Sequence, residues 1–93
     1  MVVGTLMIEI HLGGICSLKE KRQVVRSLVD RIRKRFNVSA AEVDRQDHHR
    51  WSVIGVACVA NATAHVDRQL DQLLDFMEKD GRFSVVHINK EIL

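Results

Sequence analysis

Proline is absent from the 93-residue sequence, and no linker, internal repeat or low-complexity tract interrupts it, so residues 1–93 read as one domain. Tyrosine is absent too, leaving one Trp and three Phe as the aromatic complement. A sheet that reads RNA by stacking bases wants neighbouring aromatics on its central strands, so that mode is disfavoured. No apolar run approaches the roughly 18 residues of a membrane-spanning helix. The start, Met1-Val2-Val3-Gly4, has neither the basic region nor the small-residue cleavage site of a secretory leader, and a cytoplasmic setting with no membrane partner is expected. The two cysteines, Cys16 and Cys58, form no CxxC and are expected to be reduced. The five histidines fall on separate elements or, at His48 and His49, on opposite sides of a turn. No zinc-type spacing follows from them, and no metal or cofactor is expected.

What is present has clear periodicity. Leu6, Ile8, Ile10 and Leu12 alternate with Thr5, Met7, Glu9 and His11, the pattern of a half-buried strand. Gly13-Gly14 ends it, and Ser17 with Glu20 forms a capping box for a helix reaching about Phe36. Leu18, Val25, Leu28, Val29, Ile32 and Phe36 are that helix's apolar stripe. A second strand runs from about Val38 to Arg45, and a polar turn leads to a third from Trp51 to Ala60. This strand is apolar on both faces, with Val53, Ala57 and Val59 opposite Ile54, Val56 and Cys58, which makes it central. Asn61 or Thr63 is expected to cap a second helix with the stripe Val66, Leu70, Leu73, Leu74 and Met77. A last strand runs from Phe83 to Ile92. The order βαββαβ specifies an α+β, ferredoxin-like sandwich: a four-stranded antiparallel sheet with two helices on one face, the first and third strands central.

Several stretches carry a family resemblance: Ser17-Leu18-Lys19-Glu20-Lys21-Arg22, Arg35-Phe36-Asn37-Val38-Ser39, Ala41-Glu42-Val43-Asp44 with Gln46-Asp47, and Gly55-Val56-Ala57-Cys58-Val59. In this order the sequence resembles the YlxP-like family of small bacterial proteins of unknown function over nearly its whole length. The basic motif and the Glu-Val-Asp segment are the most specific parts. The resemblance implies a ferredoxin-like fold, a bacterial cytoplasmic setting and an association with translation and ribosome-maturation genes, without a reaction or a ligand. The His48-His49-Arg50 turn departs from the family's more apolar one.

Net charge is only +2, but its distribution is uneven. Eight cations against Glu20 and Asp30 give the first helix +6. Lys19, Arg22, Arg26 and Arg33 form a ridge beside the apolar stripe, suited to tracking a phosphate backbone; Lys21 and Lys34 join them as candidate nucleic-acid contacts. The competing reading is a solvated face in which Asp30 pairs with Arg26 and Arg33. Asp67, Asp71, Asp75 and Glu78 make an acidic stripe on the second helix that would neutralise the ridge if the two faced each other.

Other constellations are weaker. Gly13-Gly14-Ile15-Cys16-Ser17 opens a helix and could cradle an anion, as an analogous loop does in acylphosphatases, but their loop arginine is missing here. Cys16 there reads as a small loop residue rather than a nucleophile. The uncovered sheet face, with Met7 and apolar residues of the third strand and Phe83 or Val85 of the last, is expected to mediate a homodimer, with Glu9 and His11 at its interface. The expectation is a non-catalytic protein that binds RNA or a ribosomal particle through its first helix, with no preference for DNA inferred. A dimeric protein-interaction or small-ligand module is the alternative, and an anion-binding hydrolase comes third.

Overall fold

The computed structural model describes residues 1–93. Its elements are β1 (Val2–His11), α1 (Leu18–Arg35), β2 (Ser39–Asp44), β3 (Trp51–Ala60), α2 (Thr63–Glu78) and β4 (Ser84–Ile92). The strands lie in the order β2-β3-β1-β4, every neighbouring pair antiparallel. This is the ferredoxin-like sandwich, with β1 and β3 central. Leu6, Ile8 and Ile10 of β1, with Leu12 just past its end, are buried beside Ile54, Val56 and Cys58 of β3. The stripes of both helices close over them, with Val25, Leu28, Val29, Ile32 and Phe36 from the first and Val66, Leu70, Leu73 and Met77 from the second.

Local signals explain the ends of α1. The Ser17 hydroxyl accepts from the Glu20 N–H at 3.2 Å, while the Glu20 carboxylate accepts from the Cys16 N–H at 2.9 Å, one residue before the usual capping-box partner. Arg33, Lys34 and Arg35 fill the last turn, where cations favour the carbonyl end of the helix dipole. In α2 the expected cap is not used. Its N-cap is Ala62, with no side-chain bond, because β3 continues to Ala60 and the helix begins at Thr63. Asn61 therefore falls a residue early and Thr63 is already helical.

Two irregularities shape the sheet. The β2–β3 register shifts between Glu42 and Asp44, and Arg45 leaves the strand with φ 59°, a left-handed conformation that costs a non-glycine residue about 1–3 kcal/mol. The β1–β4 register shifts between Glu9 and Ile10, so that Val85 pairs with the core-facing Ile10. Val85 thus packs against the core and Phe83 is buried within it. Neither contributes to the open sheet face, contrary to the expectation. Val43 and Val59 are exposed there instead, on the same face as Met7.

Gly4 lies where α2 presses on the sheet. A Cβ at this position would fall 2.1 Å from Val66 Cγ1 and 3.0 Å from Leu70 Cδ1, whereas one at Gly14 would meet nothing within 4 Å. Gly4→Ala is expected to destabilise the protein by about 1–3 kcal/mol through overpacking. Gly14→Ala is expected to stabilise it by about 0.4–1 kcal/mol by restricting the unfolded chain. Urea unfolding of the two variants should move the midpoint in opposite directions.

Candidate nucleic-acid interface

The connections decide which way the basic helix faces. α1 joins β1 to β2 and packs over β2, while α2 joins β3 to β4 and packs over β1, β4 and β3. Each helix therefore turns one flank to its neighbour and the other to the nearer sheet edge. The flank of α1 toward β2 carries Arg22, Arg26, Asp30 and Arg33, which with Val25, Val29, Ala41 and Glu42 line a shallow groove of about 290 Å³. The opposite flank carries Arg31 and Arg35, each 5.2 Å from the centre of the Phe76 ring of α2.

The acidic stripe of α2 does not face the ridge. Asp67 and Asp71 hold Lys90 of β4, with Asp71 at 3.0 Å, and these contacts raise the lysine's proton affinity above its ordinary value. Asp75 lines the groove between the helices with Arg31 and Arg35. The ridge's own Asp30 closes no ion pair with Arg26 or Arg33, although it lines the same groove with Glu42.

The candidate cations divide by burial. Lys19, Arg22, Arg26, Arg33 and Lys34 are all exposed. Arg26 makes no ion pair, and Arg22 approaches Asp47 only to 3.9 Å. Arg33 donates to the Ala40 carbonyl at 2.7 Å, tying α1 to β2 while its residue remains exposed. Lys21 is the exception. Its side chain is 0% exposed, so it is not available to a phosphate. It sits 2.8 Å from Glu42 and donates to the carbonyls of Arg45 at 2.6 Å and Gln46 at 3.2 Å. The Ser52 hydroxyl completes the cluster, donating to Glu42 at 2.5 Å. The basic motif and the Glu-Val-Asp segment thus meet as one buried ion pair. The signal was in the spacing, since Lys21 follows Leu18 by three residues and precedes Val25 by four, inside the apolar stripe.

On the open face Met7 is 44% exposed, while Glu9 and His11 are half-buried and find neighbours within the chain. The rings of His11 and Trp51 lie 4.6 Å apart, the Arg45 guanidinium stands 5.6 Å over Trp51, and Arg45 reaches Glu9 at 3.9 Å. Sequence reasoning missed Arg45, whose position depends on its left-handed backbone.

The polar groups of two loops have partners within the chain. In the loop before α1, the Glu20 carboxylate occupies the Cys16 N–H that an anion would use. In the β2–β3 turn, the Arg50 N–H donates to His48 Nδ1 at 3.1 Å, and Arg50 Nε donates to His49 Nε2 at 3.3 Å. No group of three His, Cys, Asp or Glu side chains converges as a metal site. Cys16 is exposed, while burial pushes the Cys58 thiol above its ordinary value. No helix is long and apolar enough to cross a membrane.

Two ion pairs should be measurable in stability. Lys21→Ala leaves Glu42 without its cation and is expected to cost about 3–5 kcal/mol, much of it recovered by the apolar pair Lys21→Met with Glu42→Leu. Urea titration of the three proteins checks this. Hydrogen bonding from Arg82 holds the Asp80 carboxyl below its ordinary 3.8. Its stabilisation is full above that value and is lost as pH falls through the lowered folded one. Asp80→Asn is expected to flatten the acid limb of the stability curve below about pH 4 and leave the neutral-to-alkaline slope unchanged.

Comparison with known proteins adds identity at the level of family. Residues 3–90 match the family described as a protein of unknown function (DUF503). The uncharacterized protein YlxP of Bacillus subtilis (strain 168) is 34% identical over 62 residues, 67% of either chain. The chain belongs to this YlxP-like family of bacterial proteins of unknown function.

Proposed function

We propose that the protein is a non-catalytic cytoplasmic RNA-binding protein that grips the phosphate backbone of RNA, free or in a ribosomal particle, with the outer flank of α1. The gripping groups are Lys19, Arg22, Arg26, Arg33 and Lys34. The observation that carries this reading is the orientation of the ridge: its arginines flank the edge strand β2, on the side of α1 away from the carboxylates of α2. From Arg22 to Arg33 the ridge spans about 16 Å of helix, at roughly 1.5 Å per residue. Its groove is lined chiefly by charge, which suits backbone contact rather than base readout. The translation setting implied by the family favours RNA as the polyanion. The Glu20 carboxylate, from the first turn of α1, supports the non-catalytic part, because it occupies the Cys16 N–H that an anionic substrate would use.

Binding through four or five phosphate contacts is expected to weaken about 50- to 130-fold between 50 and 200 mM salt, from the counterions released by a single strand. Arg22→Glu with Arg26→Glu is expected to cost at least about tenfold in affinity. Arg31→Ala with Arg35→Ala, on the flank toward α2, should leave affinity within about twofold, since those groups carry no phosphate in this reading. Fluorescence titration of a labelled single-stranded RNA across salt concentrations tests all three. Absent or salt-independent binding, or equal loss from both pairs, overturns the reading.

A further inference from the structure

The sheet face opposite the helices has no covering element, yet it is not built like a solvated surface. Met7, Val43 and Val59 are 44%, 45% and 56% exposed on it. Between Met7 and Val43 lies a trough of about 450 Å³ with a floor of small residues, chiefly Ala41, Gly55 and Ala57. A Cβ on Gly55 would fall 2.7 Å from Val43 Cγ1, so any larger residue would displace Val43. A protruding methionine therefore stands directly beside a hollow.

The register gives this juxtaposition a symmetry. Met7 pairs with Gly55, Thr5 with Ala57, Val3 with Val59 and His11 with Trp51. A twofold axis parallel to the strands and lying between β1 and β3 exchanges the members of each pair across two stacked faces. We infer that the open face is the interface with a second copy of this chain, each copy's Met7 seated in the Gly55 trough of the other. An isologous contact needs one surface to present both the projection and its complement, and this face does so.

The remaining groups agree with the arrangement. Val3 meets Val59 and Thr5 meets Ala57, joining apolar or small groups. Glu9 brings its own counter-charge, since Arg45 of the same copy reaches it. The edge strands exchange as well, placing Glu91 of one copy opposite the Ser39 hydroxyl of the other. Stacked sheets rotate by about 30°, which displaces the outer pairs but holds Met7 over Gly55 near the axis. Area also suffices. Strands of 10, 6, 10 and 9 residues, at about 3.3 Å per residue and about 4.8 Å apart, give a face of about 550 Å² in plan. Side-chain relief raises this toward the roughly 800 Å² per partner of a standard interface. The helices lie on the opposite face of the sheet, so the pairing leaves the α1 ridge uncovered and does not depend on RNA binding.

Sedimentation equilibrium of the whole chain at about 100 µM, the upper part of the micromolar range, should give twice the 10.6 kDa of one chain. Met7→Glu and Ala57→Glu should each give monomer with an unchanged far-UV spectrum, while Arg22→Glu with Arg26→Glu should remain dimeric. Emission of the sole tryptophan, Trp51, read in the unmodified protein, should move to the red as dilution separates the faces. A wild-type monomer at that concentration with dilution-independent emission overturns the inference. So does a dimer that survives both glutamate substitutions.

Discussion

An ammonium group removed from water must find an acceptor for each of its N–H bonds, and the way Lys21 meets that demand sets much of the architecture. Its acceptors are the Glu42 carboxylate and the carbonyls of Arg45 and Gln46. The first lies at the bulge of β2, and the other two lie just past its end. One side chain near the start of α1 thus fixes the helix against the far end of the hairpin. Rotating α1 about its axis would break these bonds, so the same residue that holds the apolar stripe on the sheet holds the arginine ridge off it. The carbonyls are presented by a chain that has turned sharply, with φ 59° at Arg45. That turn also sends the Arg45 guanidinium over Trp51 on the opposite face. A single desolvated charge therefore links the helix layer to a feature of the open face.

The +6 of α1 is better understood as several separate assignments than as one patch. Lys21 is structural. Arg31 and Arg35 are drawn toward α2 by Phe76, and Arg31 also comes within 3.6 Å of the buried Asp80. Arg33, Lys34 and Arg35 suit the carbonyl end of the helix. Arg33 also caps an edge carbonyl of β2, and covering an edge in this way discourages unwanted strand pairing. Lys19, Arg26 and Lys34 have neither a carboxylate nor an aromatic ring to occupy them, and Arg33 has only the Ala40 carbonyl. The case for a polyanion partner rests on the residues left after those local needs are met.

How much of this was legible in the sequence follows from the range of each interaction. The strands, the helix stripes and the element order depend on periods of two and 3.6 residues, and they are readable because those signals are local. The capping box was readable for the same reason, although its glutamate reached Cys16. Lys21 was misassigned because its charge was weighed above its spacing, which placed it within the stripe. The ridge's direction could not be read from α1 alone, since it depends on which half of the sheet each helix crosses. The bulges at Glu42 and Glu9 carry no composition signature, and the second of them moved Phe83 and Val85 from the open face to the core.

The two surfaces also bear on one another. A sheet covered on one side by two helices leaves its central strands half in water, and β3 is apolar on both faces. Pairing through those faces would make a four-layer sandwich with helices outside and both α1 helices exposed. Because the proposed twofold would place β2 of one copy over β4 of the other, the two arginine ridges would fall along opposite edges of the assembly. A polyanion long enough to reach both would then engage them intramolecularly, and effective concentration would add affinity without any new contact. On the proposed pairing, the modest ridge of one small domain would become a stronger grip in pairs, and the apolar face would have a functional role beyond enlarging a small core.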